Sequence, residues 1–237
     1  MTGLKTLRLM RAFLATALAA LVASAVCAEG NPRDPYEGFN RTMYSVNEVI
    51  DTYAVRPLAK GYDSAVPLPV KASVGNMFGN VGDLWIGVNG ALQGKMSEAS
   101  VDFGRLLINS TVGIFGLFDV ASELGFEKHE EDFGQTLAVW GVKDGGYLFW
   151  PLIGPRTVRD TAGFAVDAYI DPVSNITPIS ARNSMRALRI VDIRAGLLPA
   201  DKLIDEAALD KYTYVRDAYL QRRQNQIYDG RPPRVED

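Results

Sequence analysis

Cysteine and histidine are almost missing from this chain: Cys27 and His129 are the only ones in 237 residues. A single cysteine excludes an internal disulfide framework, and one histidine beside it gives no soft-ligand zinc site. A serine triad would have to use His129, which lies in Glu127-Lys128-His129-Glu130-Glu131-Asp132, a run that reads as a solvated loop. A cation site on Glu130, Glu131 and Asp132 is weighed against the same solvated reading. Basic excess is lacking too, with 25 Lys+Arg against 28 Asp+Glu, which argues against a nucleic-acid binder. No P-loop is present: Gly94-Lys95 is followed by Met96, and Asn89 stands where the first glycine belongs. No dinucleotide fingerprint is complete. With no nucleophile beside a base, the expectation is no catalytic residue, no metal and no cofactor, and a chain that binds or transports.

The first residues read as an export signal. Lys5, Arg8 and Arg11 precede an uncharged apolar run, Phe13 to Ala25, and small residues follow at Ala23, Ala25 and Ala28. A transmembrane anchor needs about 20 apolar residues, more than this run supplies. Domain organisation is therefore read as a signal over 1–28, a helical domain over 29–228 and a polar tail over 229–237. Removing the three signal cations leaves 22 basic against 28 acidic residues, a net charge of −6. Adhesion to anionic lipid by bulk charge is excluded on that balance. Cys27 raises the alternative of an acylated first residue. Its context, Ser24-Ala25-Val26-Cys27, is a poor lipobox, because Val26 is bulky and Ser24 replaces a Leu-like residue. Cleavage after Ala28 is the other reading.

What the chain does have is glycine where helix is expected. From Pro69 to Gly94, apolar residues recur every three or four positions, and Gly75, Gly79, Gly82, Gly87, Gly90 and Gly94 interrupt them. Each interior glycine costs an exposed helix about 1 kcal/mol against alanine, so packing or lipid must support the segment. Gly75-xxx-Gly79 and Gly90-xxx-Gly94 resemble the small-residue spacing of helices that approach closely in lipid; tight packing in a soluble core is the alternative. Met77, Phe78, Val81, Leu84 and Trp85 are read as membrane- or ring-packing residues. Asn76, Asn80 and Asp83, with Ser73, form a polar face that is either a channel wall or an ordinary solvent face.

The remaining chain reads as helices with marked ends. Asp34, Pro35 and Glu37 form a helix start, followed by an apolar face through Tyr53 and an end near Arg56-Pro57. Ser97 is expected to cap the next helix. Leu106 to Phe118 is thirteen residues without charge, too short to span a bilayer, and reads as a re-entrant hairpin tip or a core turn. Ile114, Phe115, Leu117 and Phe118 are its tip. Asp119 is placed to cap a turn, and Asp132 with Gln135 to open a helix over Phe133 to Trp140. Gly145 to Pro155 is dense in aromatics and too broken for a long helix. Ala181–Ala195 and Asp205–Tyr228 are expected helices. No period-2 strand and no internal repeat stands out, so the class is all-α.

Several blocks, in order, resemble one family. Asp34-Pro35-Tyr36-Glu37-Gly38-Phe39-Asn40-Arg41-Thr42-Met43-Tyr44, Val55-Arg56-Pro57-Leu58-Ala59, Arg105 to Gly113, Gly116 to Ala121, Phe133-Gly134-Gln135-Thr136-Leu137, Pro151-Leu152-Ile153-Gly154-Pro155 and Tyr214 to Tyr219 are similar to the MlaA (VacJ) family of outer-membrane phospholipid-transport lipoproteins. The resemblance implies a ring-like, donut-shaped arrangement of amphipathic helices in the inner leaflet of the outer membrane, facing the periplasm, with a central channel. It implies removal of phospholipids misplaced in the outer leaflet, transfer to a periplasmic lipid carrier, MlaC, and association with trimeric porins. A mobile apolar hairpin corresponds to Leu107–Phe126. The rival readings are a soluble periplasmic binding or scaffold protein and a periplasmic lipid hydrolase.

Overall fold

A computed structural model describes residues 31–233, without the side chains of residues 202, 203 and 207. The signal reading, Cys27 and the end of the polar tail lie outside the described residues.

The chain opens with a nearly unbroken helical rod. Helix α1 (Glu37–Ile50) passes through a π-helical turn (Asp51–Val55) into α2 (Arg56–Ala65). The end expected near Arg56-Pro57 is not there. The wide turn lets the Arg56 N–H bond back to the Asp51 carbonyl, and Pro57 falls at the start of α2, where its missing donor costs little. Asp34 does not cap α1 either. It is buried, accepts from Asn40 Nδ2 at 2.8 Å and from the Tyr212 hydroxyl at 2.5 Å, and so ties the first residues to the last helix.

Helices α3 (Leu68–Leu92) and α4 (Met96–Thr111) form an antiparallel pair. Two of the troublesome glycines make it possible. A Cβ on Gly87 would meet the Phe103 ring at 2.8 Å, and one on Gly90 would touch Ala99 at 3.5 Å. Gly94 is not part of a small-residue stripe; at φ +84° it carries the left-handed turn between the helices. Lys95, not Ser97, is the residue before α4, and it supplies no side-chain cap. Four residues of helix, α5 (Val120–Glu123), follow the turn after α4, capped by Asp119 as expected.

Helix α6 (Phe133–Val139) is capped by Asp132 and packs on α7 (Val158–Ile170). Between them strands β1 (Tyr147–Trp150) and β2 (Gly154–Thr157) pair antiparallel, Tyr147 opposite Thr157 and Trp150 opposite Gly154. This small sheet corrects the reading of that segment as strandless. Tyr147, Leu148 and Phe149 are all buried, so the strand has no alternating pattern to betray it. A 3-10 turn (Pro172–Asn175) leads to α8 (Ile179–Ala207), which runs a dozen residues past its expected end despite Pro199. Arg194 reaches Asp201 at 2.8 Å across that proline. Helix α9 (Lys211–Ile227) is capped by Asp210 rather than beginning at Asp205. Among the described residues no helix is long and apolar enough to cross a membrane.

The interior is unusually polar. Asp83, Asp102, Arg105, Asn89 and Asp160 are buried, while Phe115 is 84% exposed, Tyr169 82% and Leu68 76%. Among the described residues a small aromatic cluster of Tyr147, Phe149 and Tyr212, flanked by Met43, Tyr44 and Val215, forms the apolar core. Isolated apolar residues on a surface need no explanation, but an apolar exterior around paired charges does.

The glycines separate into those the packing needs and those it does not. Gly163→Ala places a Cβ 2.4 Å from the Gly134 backbone nitrogen and is expected to destabilise by about 1–3 kcal/mol or more. Gly82→Ala meets open space and is expected to stabilise α3 by up to about 1 kcal/mol. Thermal or denaturant midpoints of the two variants should move in opposite directions.

Candidate functional site

The turn after α4 presents a cluster of exposed apolar side chains. Ile114 and Phe115 adopt φ of +51° and +55°, and Gly116 follows at +83°. This backbone turns Ile114, Phe115 and Phe118 outward, all more than half exposed, with Leu117 less so. Left-handed φ at an isoleucine and a phenylalanine is costly and persists only where the surroundings fix it. The fixing groups lie on α3. Asn80 Nδ2 donates to Ser110 Oγ at 3.0 Å, and Asn76 Nδ2 to the Leu117 carbonyl at 3.3 Å. A Cβ on Gly116 would lie 2.6 Å from Asn80 Cβ, so the turn sits directly on that side chain.

Charged groups hold the hairpin's base. Arg105, on α4, makes a two-pronged pair with Asp119 at 2.9 and 3.0 Å and donates to the Phe126 carbonyl at 2.6 Å. Asn109 donates to Asp119 and accepts from the Ala121 N–H, both at 2.9 Å. Burial raises the Asp119 pKa, but hydrogen bonds from Ser122, Asn109 and Arg105 outweigh it and hold the carboxyl at about 2. Asp83 lies 3.6 Å from Arg105 Nε and 3.7 Å from Lys128 Nζ, with no hydrogen-bond partner among the described residues. Burial pushes its carboxyl above the usual carboxylate range.

The polar face expected on α3 thus turns inward. Asn80 and Asp83 are buried and Asn76 half-buried, and all three meet α4 or the hairpin. Of the residues read as packing, Phe78 is buried with the Arg189 guanidinium 5.7 Å from its ring centre, and Leu84 is exposed. Met77 and Val81 are half-buried. Trp85 points into the protein: its indole donates to Asp167 at 2.7 Å and its ring stacks on Phe133. The run Glu127–Asp132 is also less solvated than expected. His129 Nδ1 lies 2.9 Å from the buried Asp102, Glu131 is buried against Lys95, and Asp132 takes both prongs of Arg223. Glu130 pairs with Arg222 on α9. Glu130, Glu131 and Asp132 are thus each matched by a cation of the chain.

A second feature escaped the sequence. A cavity of about 470 Å³ lies between the end of α1, the β1–β2 turn, α8 and the start of α9. Val55, Phe149, Leu152, Ile193 and Leu197 give it an apolar wall. The rest of the lining includes a chain of ion pairs. Asp51 accepts from Arg56 Nε at 2.9 Å and from Arg194 at 2.7 and 2.9 Å, and Arg194 continues to Asp201. Burial opposes ionisation of Asp51, but the two guanidinium partners hold its carboxyl below the usual range. Acyl chains need the first wall and a charged head group the second. Asp51 and Arg194 lie 143 positions apart in the chain, so no local pattern signalled the pair.

Fold and site together define a mainly helical protein in which no described helix is long and apolar enough to cross a membrane, several charged pairs are buried, and one cavity is lined by both apolar and charged side chains. The MlaA lipoprotein family model matches residues 32–226. The chain belongs to that family. It is 36% identical over 221 residues to the intermembrane phospholipid transport system lipoprotein MlaA of Escherichia coli K12, covering 91% of this chain and 87% of that one. The protein of the same description from Haemophilus influenzae is 33% identical over 228 residues, covering 91% and 90%. An uncharacterized Rickettsia typhi protein is 35% identical over 195 residues, covering 82% and 78%. A solved chain from work on the structural basis for maintenance of bacterial outer membrane lipid asymmetry superposes with a TM-score of 0.72 at 32% identity, covering 84% of this chain and 99% of that one. The named relatives are transport components, in keeping with the reading of a protein that is not an enzyme.

Acid should release the hairpin base and the α6–α7–α9 junction together. Asp119 and Asp160 both sit at about 2 in the folded chain, Asp160 because Arg223, Tyr219 and Arg159 outweigh its burial. A depressed carboxylate stabilises above its unfolded pKa, here 3.8, and loses that contribution as pH falls through its folded value. Stability measured by denaturant should therefore be level above about pH 5 and fall steeply from about pH 4 to pH 2. Asp119→Ala, which strips a buried arginine of its two-pronged partner, should cost about 3–5 kcal/mol at neutral pH.

Proposed function

We propose that this chain is the outer-membrane component of a phospholipid transport system that maintains lipid asymmetry, drawing misplaced phospholipids from the outer leaflet and releasing them to a periplasmic lipid carrier of the MlaC type. The observation that carries the reading is the distribution of polarity: charge pairs buried, many large apolar side chains exposed, and a cavity lined by both apolar and charged groups. Helices that are not long and apolar enough to span lie in one leaflet, the inner one, with their outer faces against acyl chains. Residues 29–228 act as one helical ring, and a polar interior is tolerated there because protein and water line it.

The mechanism is a sheltered path without a covalent step. Tails slide along the apolar wall while the head group exchanges hydration for the ion-pair chain of Asp51, Arg56, Arg194 and Asp201. No charge then has to cross hydrocarbon unaccompanied, which is the term that makes unaided lipid transfer slow. The hairpin tip of Ile114, Phe115, Leu117 and Phe118 meets the bilayer, held from behind by Asn76 and Asn80. A trimeric porin is the protein partner that the family resemblance implies.

Membrane fractionation tests the setting: the protein should stay with membranes through osmotic shock and enter solution only with detergent. Release by osmotic shock alone would favour a soluble periplasmic binding protein. Phe115→Asp tests the hairpin. The side chain is exposed, so folding stability should shift by no more than about 0.5 kcal/mol. Outer-leaflet phospholipid in cells should nevertheless rise and detergent resistance fall. Normal values of both would remove the hairpin from the mechanism.

A further inference from the structure

The charged lining of the cavity balances almost completely within itself. Asp51 is shared by Arg56 and Arg194, Asp201 pairs with Arg194, and Asp205 pairs with Lys211. Two groups are left over. Arg194 Nη1 is buried and has no hydrogen-bond partner among the described residues. Glu48 lines the same cavity and has no ion-pair partner among them. Among the described residues the lining holds four carboxylates and three cations, a surplus of negative charge.

The two spare groups are close together by construction. Glu48 and Asp51 are three residues apart on one continuous helical rod, an advance of about 4.5 Å, and so share a face. Arg194 is clamped to Asp51 by two hydrogen bonds, which fixes its guanidinium beside that face. A planar guanidinium with a free N–H suits a phosphate oxygen, and a carboxylate suits an ammonium. One donor and one anion in the same lining are complementary to the two ends of a phosphoethanolamine, whose phosphate and ammonium are joined by two carbons.

We propose that the cavity selects phospholipids with a zwitterionic, ammonium-bearing head group over those whose head group is a net anion, with the phosphate on Arg194 Nη1 and the ammonium on Glu48. This rests on the lipid-conduit reading and adds the class of head group to it. A phosphoglycerol head offers the same phosphate to Arg194 but brings no cation for Glu48. Its net charge then faces a lining with surplus negative charge, and in a partly dehydrated cavity that repulsion is only weakly screened.

The test uses the mature full-length chain purified in detergent. It is incubated with mixed micelles holding equal amounts of phosphatidylethanolamine and phosphatidylglycerol with identical acyl chains, and retained lipid is quantified by mass spectrometry after gel filtration. The wild-type protein should retain the ethanolamine lipid in about fivefold excess, equivalent to about 1 kcal/mol. Glu48→Gln should bring the ratio near one, and Glu48→Lys should favour the glycerol lipid, with circular dichroism unchanged in both. Retained lipid in equal amounts, or a ratio indifferent to the charge at position 48, overturns the head-group assignment and leaves the conduit standing. Retention of neither lipid overturns the conduit reading itself, and the selectivity with it.

Discussion

Arg105 and its carboxylates set the terms for this molecule. A guanidinium with essentially no contact with solvent sits between Asp83 and Asp119 and binds the carbonyl of Phe126. Buried charge is tolerated only when paired and hydrogen-bonded, so the position of α3, α4 and the hairpin base follows from satisfying this one side chain. Arg223 repeats the arrangement on the other side of the fold, joining Asp132 at the start of α6 to Asp160 in α7 and to the last helix. Arg194 repeats it a third time, joining Asp51 to Asp201 beside the cavity. Where a water-soluble protein ties its helices with apolar contacts, this one uses charge pairs and leaves much of its apolar surface outside.

That inversion connects the two candidate features. The hairpin can present Phe115 outward because Asn76 and Asn109 answer the Leu117 carbonyl and the Ala121 N–H from behind, while Asn80 holds the Ser110 hydroxyl. The cavity can offer a charged wall because its ion pairs are closed on themselves, leaving only a donor at Arg194 and a carboxylate at Glu48. A lipid passing the first meets hydrocarbon-like side chains; inside the second it meets both of the environments an amphiphile needs.

Much of the architecture was legible in the sequence. Helical periodicity located α3 and α9, and the oxygen-bearing residues Asp119 and Asp132 marked helix starts that the structure keeps. The glycines were legible as a problem but not as an answer, because only the partner helix tells Gly87, pressed on Phe103, from Gly82, which faces nothing. The polar stripe of α3 was visible, but not which way it faced. An interior made of ion pairs reverses the usual inference that polar means wet, and so Asn80, Asp83 and the run through His129 turned out inward. Strand β1 was hidden by being apolar and buried on both faces, and β2, Gly154-Pro155-Arg156-Thr157, by having no apolar alternation at all. The cavity was hidden for a different reason: its wall is assembled from α1, α8 and α9, and no local pattern signals a partnership between Asp51 and Arg194.

The central claim is that acyl chains, not water, solvate the apolar exterior. A nitroxide label at position 115 of the protein reconstituted in phospholipid bilayers tests it most directly. The account predicts faster relaxation by dissolved oxygen, which concentrates in hydrocarbon, than by a water-soluble nickel chelate. Dominant relaxation by the chelate, with the protein folded and bound to the bilayer, would contradict it.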